Sequence, residues 1–327
     1  MEKYRKEYTY QNTGVDLKSA DILSKLLATH LKSDNFNDFA GTFAHPALPG
    51  FRLVATTDGI GTKIMPLVER KMFNTMAQDL VAMNLNDLIC AGAKPLFFLD
   101  YLAVHKLESE ILSGFIEELN NLLCRYDCAL LGGETSEMPD FIKENVFDAA
   151  GFMVGLVKED EIPNRQNISA GDIVIGLKSS GIHSNGFSLV RKLYADRKLN
   201  DEEFIKTLAP TEIYAESILK ICAEKLVLGL ANITGGGILS NIKRAVPNGF
   251  CAVLDKTSLP KLPVFNLLSH FVAEDEMYRT FNMGAGFCII AKQKNVQRVL
   301  EIAKNHNPFI FGYIEKSETA AGARFND

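Results

Sequence analysis

Residues 51–63 read FRLVATTDGIGTK, a run of strand formers that ends in an aspartate, two glycines and a lysine. Asp58 offers oxygens to a hard cation such as Mg²⁺. Gly59 and Gly61 let the backbone approach a ligand closely, and Lys63 supplies a point charge for phosphate. The order is not that of a P-loop, and the third glycine of a dinucleotide fingerprint is missing. Alone, the octet TTDGIGTK reads as an ordinary Asp-Gly turn after a strand.

Working outward, the pattern alternates. A helix is expected over 76–90, with Thr75 and Gln78 at capping-box spacing and Gly92 and Pro95 beyond its end. LFFLDYLAV (96–104) has strand length, with an unusual Asp100 inside it. The next helix puts Ile111, Phe115, Leu119 and Leu122 on one stripe. CALLGGE and FDAAGFMVGLV follow as strands, completing a split β-α-β unit of α+β type. A polar stretch around 158–170 suggests a boundary. Beyond it DIVIGL reads as a strand, FSLVRKLYAD and TEIYAESILKICAEK as helices, and TGGGILSNIKRAVPNG as a glycine loop leading into a helix, so the second half is α/β in character.

A chain of 327 residues exceeds the usual single core, so two domains are expected. A net charge of −5 with no local basic patch argues against a nucleic-acid partner. No run of eighteen apolar residues occurs, which argues against a membrane span. Six scattered cysteines without a C-x-x-C pair suit a reducing, cytoplasmic setting.

In AQDLVAMNLNDL, Asp79 and Asn86 lie seven apart on one helical face, with Asp87 adjacent. Buried oxygens need partners, so this stripe faces either solvent or a cation. Gly132 and Gly133 precede Glu134, and the four carboxylates Asp58, Asp79, Asp87 and Glu134 are expected to converge around metal. In SSGIHSNGFSLVRK, a glycine-bearing loop opens a helix whose N-terminus suits an anion. Ser184 or Asn185 could cap that helix, and His183 reads equally as a proton or phosphate contact and as a surface histidine. Gly235–Gly237 repeat the arrangement ahead of Lys243 and Arg244.

Together these blocks resemble the phosphoribosylformylglycinamidine cyclo-ligase family, also called aminoimidazole ribonucleotide synthetase or the PurM family. TTDGIGTK, QDLVAMNLNDL, PLFFLDY, GGETSEMPD, SSGIHSNGFSLVRK, LAPTEIY, ITGGG and EMYRTFNMGAG each match a family block in order, over about residues 8–290. The resemblance implies an N-terminal ferredoxin-like domain (1–165) paired across a homodimer into a β-barrel, and a C-terminal PurM-like α/β domain (166–327). It implies ATP and Mg²⁺, with formylglycinamidine ribonucleotide as substrate. Lys63, His183 and Asp58 would act in catalysis. Gly59, Gly61, Thr62, Lys63, Asp79, Asn86, Gly132 and Gly133 would contact nucleotide. His183, Ser184, Asn185, Gly235 and Gly236 would contact substrate, and Asp58, Asp79, Asp87 and Glu134 would hold metal. Asn232 and Glu212 stand where the family has His and Arg, and AGTFAHPALPG keeps only part of its glycine-rich N-terminal run. The alternatives are an altered paralogue serving as a nucleotide- or partner-binding subunit, or another ATP-dependent synthetase or kinase of the superfamily.

Overall fold

The computed structural model describes residues 8–15, 19, 22, 23, 26, 39–107, 109–144, 146–318 and 321–326. The side chain of Ile111, expected on the apolar stripe of the second helix, lies outside them. The first half contains β1 (Gly41–Ala44), β2 (Phe51–Gly59), α1 (Ile64–Glu69), α2 (Phe73–Ile89), β3 (Lys94–Val104), α3 (Ser109–Arg125), β4 (Ala129–Glu137) and β5 (Phe147–Lys158). Its sheet has the order β1-β2-β5-β3-β4, antiparallel except for the β3–β4 pair.

One face of this sheet is covered by α2, and α2 is buried almost all round. That is why its sequence lacks lysine and arginine: the helix is an interior layer, so each polar side chain on it needs a protein partner. Among the described residues nothing covers the other face, where Leu96, Tyr101, Leu131 and Phe152 are exposed among half-buried Leu53, Phe97, Leu99 and Leu156. A close-packed row crosses the sheet at Asp58, Gly151, Asp100 and Gly133, which are register partners. A Cβ on Gly151 would overlap the Phe98 ring and stand 2.7 Å from the Asn84 amide nitrogen, so only glycine lets α2 settle this close.

The second half contains β6 (Ile173–Lys178), α4 (Phe187–Ala195), α5 (Asp201–Thr207), α6 (Ala215–Ala223), β7 (Gly229–Asn232) and α7 (Gly237–Ala245). It continues with β8 (Phe250–Leu254), α8 (Pro263–Ser269), α9 (Glu274–Thr280), β9 (Ala285–Ala291), α10 (Val296–Ile302), β10 (Phe309–Lys316) and β11 (Gly322–Phe325). The sheet order is β11-β8-β10-β6-β9-β7. Every residue of β7 and β9 is buried, as in a sheet covered on both faces.

Two local expectations change. α2 begins at Phe73 behind Met72 with no side-chain cap, and Gln78 reaches another segment instead of closing a box with Thr75. The N-cap of α4 is Gly186 in the left-handed region, without a side-chain cap, because Ser184 bonds elsewhere. A genuine capping box occurs at α5, where Asn200 and Glu203 satisfy each other's backbone N–H groups at 2.9 Å.

Candidate active site

Asp79 and Asn86 of the polar stripe of α2 face protein: together with Gln78 they hold the irregular segment 209–214 of the second half. Asp79 Oδ1 accepts from the Thr211 backbone N–H at 2.8 Å and from the Thr211 hydroxyl at 2.7 Å. Gln78 donates to the Thr211 carbonyl at 2.8 Å. Asn86 donates to the Glu212 carbonyl at 2.8 Å and accepts from the Tyr214 N–H at 3.2 Å.

Lys63 belongs to the same cluster. Its ammonium is fully buried, lying 3.0 Å from Asp79 Oδ1, 2.8 Å from Oδ2 and 2.7 Å from the Ala209 carbonyl. The ammonium hydrogen-bonds Asp79 Oδ1 and the Ala209 carbonyl and pairs in charge with Oδ2, and its full burial keeps it from a phosphate at the surface. Burial lowers the Lys63 pKa, and the charge of Asp79 opposes that shift. Asp79 is likewise enclosed; its Oδ2 lies beside the ammonium but accepts no hydrogen bond among the described residues.

Asp58 and Asp87 form a different pair at the seam. Asn84 fixes the backbone of Asp58, accepting from its N–H at 3.0 Å and donating to its carbonyl at 3.1 Å. Asp87 follows one turn later on the same side of α2. Burial first, and then the nearby Asp58 charge, push the Asp87 carboxyl up to about 7, while Asn232 and Arg244 pull the other way. Burial also raises Asp58. Asn232 donates to Asp87 Oδ1 at 2.9 Å, bringing the glycine loop 235–237 to the pair. Asn232 thus contacts a carboxylate of the first half.

The two glycine loops of the second half meet here, since a Cβ on Gly235 would lie 3.5 Å from Asn185 Oδ1. Thr62 links the TTDGIGTK turn to the start of α4 through Ser188, at 3.2 Å between hydroxyls. Helices α4 and α7 both start without a side-chain cap, behind Gly186 and Gly236. Free N–H groups at such starts receive anions.

Two predicted residues stand apart. His183 is 2% exposed, its ring tilted against Tyr214, with Nε2 accepting from the Ser180 N–H at 3.4 Å. Burial, reinforced by the Lys63 charge, lowers its pKa to about 3, so the imidazole is a neutral interior group rather than a surface one. Glu134 is the register partner of Tyr101, one residue on from the Asp100–Gly133 pair, and so points to the open face of the sheet, opposite Asp58. Gly132 and Gly133 are exposed beside it, on β4. The four carboxylates therefore do not converge within one chain, and among the described residues no three His, Cys, Asp or Glu side chains gather as a metal cage. Sequence reasoning missed Thr211, Gln78 and Asn84.

Two family models match, "AIR synthase related protein, N-terminal domain" over residues 41–157 and "AIR synthase related protein, C-terminal domain" over 169–322. A phosphoribosylformylglycinamidine cyclo-ligase of Clostridium botulinum (strain Loch Maree / Type A3) is 41% identical over 323 residues, covering 95% of this chain and 98% of that protein. Among solved structures, the HypE–HypF complex aligns with a TM-score of 0.69 at 18% identity, over 93% of this chain and 95% of the other. AaThiL complexed with AMPPCP and TMP aligns at 0.66 and 16% identity, over 98% and 94%. At such identities the structural likeness speaks for the two-domain fold alone. With both family models matched and a curated relative alike over nearly its whole length, the chain belongs to the phosphoribosylformylglycinamidine cyclo-ligase family of AIR synthase related proteins.

Proposed function

We propose that this chain is an ATP-dependent cyclo-ligase that converts formylglycinamidine ribonucleotide to aminoimidazole ribonucleotide in purine biosynthesis. The observation that carries the reading is the seam: the carboxylates Asp58 and Asp87 of the first half stand opposite two uncapped, glycine-led helices of the second. A metal-nucleotide needs the first and a phosphorylated substrate the second. The similarity to cyclo-ligases over nearly the full length supports the same reaction.

In that reaction the formyl oxygen attacks the γ-phosphorus of ATP and ADP leaves. The amidine nitrogen then adds to the activated carbon, and the carbon–oxygen bond breaks with loss of phosphate and a proton. Gly59, Gly61 and Thr62 are the nucleotide contacts we propose, and Ser184, Asn185, Gly235 and Gly236 the substrate contacts. Asp58 and Asp87 suit Mg²⁺, because two mutually repelling carboxylates with few protein partners match an ion that binds through one or two carboxylates and phosphate oxygens. The bound ion would neutralise charge on the transferring phosphoryl group. Lys63, Asp79, Asn86 and His183, being interior, support the site instead.

We further propose a homodimer in which the open faces of two ferredoxin-like sheets close into a barrel, since such an apolar face is seldom left to water. Glu134, Gly132 and Gly133 would lie at that junction. We propose a domain boundary at 165/166; the connection between β5 and β6, in which it falls, is compatible with that reading. A cytoplasmic setting suits six free thiols, and among the described residues no helix is long and apolar enough to cross a membrane. Incubation of the purified protein with formylglycinamidine ribonucleotide, ATP and Mg²⁺ should give one aminoimidazole ribonucleotide per ADP. ATP binding without ring product would favour the altered-paralogue reading.

A further inference from the structure

The segment 209–214 is tied to both candidate ligand loops. From the first half it receives Lys63, Gln78, Asp79 and Asn86. From the loop 180–186 it receives the Ser180 hydroxyl, which donates to the Pro210 carbonyl at 2.5 Å, and Ser184, whose hydroxyl lies 3.0 Å from that of Thr211. We infer that Lys63, Asp79 and Thr211 form a buried latch that fixes the TTDGIGTK turn relative to the SSGIHSNG loop, making them positioning residues that touch neither nucleotide, metal nor substrate.

Enclosure supports the assignment. The Lys63 ammonium donates to Asp79 Oδ1 and to the Ala209 carbonyl and pairs with Asp79 Oδ2 at 2.8 Å, while Asp79 Oδ1 takes three donors, and the side chains of Lys63, Asp79 and Thr211 are buried. A lysine or aspartate reserved for phosphate or Mg²⁺ would instead be open to the seam. Thr211 is the keystone because one hydroxyl serves both sides: it donates to Asp79 of the first half and lies in hydrogen-bond reach of Ser184 of the second. Phosphoryl transfer is steeply sensitive to such spacing, since a displacement of about 1 Å can cost about a hundredfold in rate.

The consequence for catalysis rests on the cyclo-ligase reading; the latch itself does not. Thr211→Val removes the hydroxyl at nearly constant volume, and Thr211→Ser keeps it. The valine variant should lose about ten- to a hundredfold in kcat with Mg²⁺-ATP affinity unchanged in calorimetry, and amide exchange in residues 180–186 should quicken; the serine variant should restore both. Native exchange and native kcat in Thr211→Val would overturn the latch, as would weakened nucleotide affinity with kcat intact. Failure of the native protein to make ring product would count against the cyclo-ligase reading only, and the exchange comparison would still decide the latch.

Discussion

Asp87 and His183 carry titrations of opposite sign. The Asp87 carboxyl, pushed up to about 7 by burial and by Asp58, holds a proton in the folded state that the unfolded chain releases above about 4. Its contribution is therefore full below the unfolded value and is lost as pH rises through about 7. Asp87→Asn should stabilise the ligand-free protein at pH 8 by about 2 kcal/mol or less, allowing for partial solvation, with the gain shrinking toward pH 4. A Tm difference that does not vary with pH would count against this. His183 is held neutral, its pKa lowered to about 3 by burial and by Lys63, whereas the unfolded chain protonates near 6.5. Its contribution is present above 6.5 and is lost on acidification, at up to about 1.4 kcal/mol per pH unit. His183 sits at φ 59°, a conformation asparagine tolerates. His183→Asn should therefore flatten the acid limb of the stability curve below pH 6.5, read by thermal melts from pH 4 to 7. The sequence places His183 in a glycine loop, where a proton or phosphate contact and a surface ring read equally well and neither anticipates an interior ring. Its burial depends on Gly286, where a Cβ would meet both the Tyr214 hydroxyl and the His183 ring, and no local pattern links positions a hundred residues apart.

At the scale of elements, α2 shows what was legible and what was not. Its helical nature, its polar positions and their need for partners follow from helical spacing and the cost of burying oxygens, whereas its start, at Phe73 and without the expected capping box, does not. The choice between solvent and cation omitted a third partner, the backbone of a segment more than a hundred residues downstream, which no spacing rule can name. The strands β2, β3 and β5 were equally readable, because alternating and apolar runs bounded by turns mark them directly. Glu134 misled because its distance along the chain is informative while its face is set by register with β3. The glycine row offers a test of how tightly these layers are set. Gly151→Ala would drive a methyl into Phe98 and against Asn84, the residue that holds Asp58. It should cost about 2–3 kcal/mol in denaturant unfolding, and a loss below about 0.5 kcal/mol would mean that α2 can lift away from the sheet.

For the whole molecule, two sheets, a seam and one open apolar face make the functional argument. Phe152 stands exposed on the open face of β5, so Phe152→Glu should convert the proposed dimer to monomers in light scattering; a native chain that is already monomeric at micromolar concentration would contradict the barrel. The central claim is that this seam activates an amide oxygen by phosphorylation before ring closure. Substrate labelled with ¹⁸O in its formyl oxygen tests it directly, because that oxygen must leave with the phosphate. Mass spectrometry of the released phosphate should show one ¹⁸O for each aminoimidazole ribonucleotide formed, and ring product accompanied by unlabelled phosphate, with the label in water, would contradict the account.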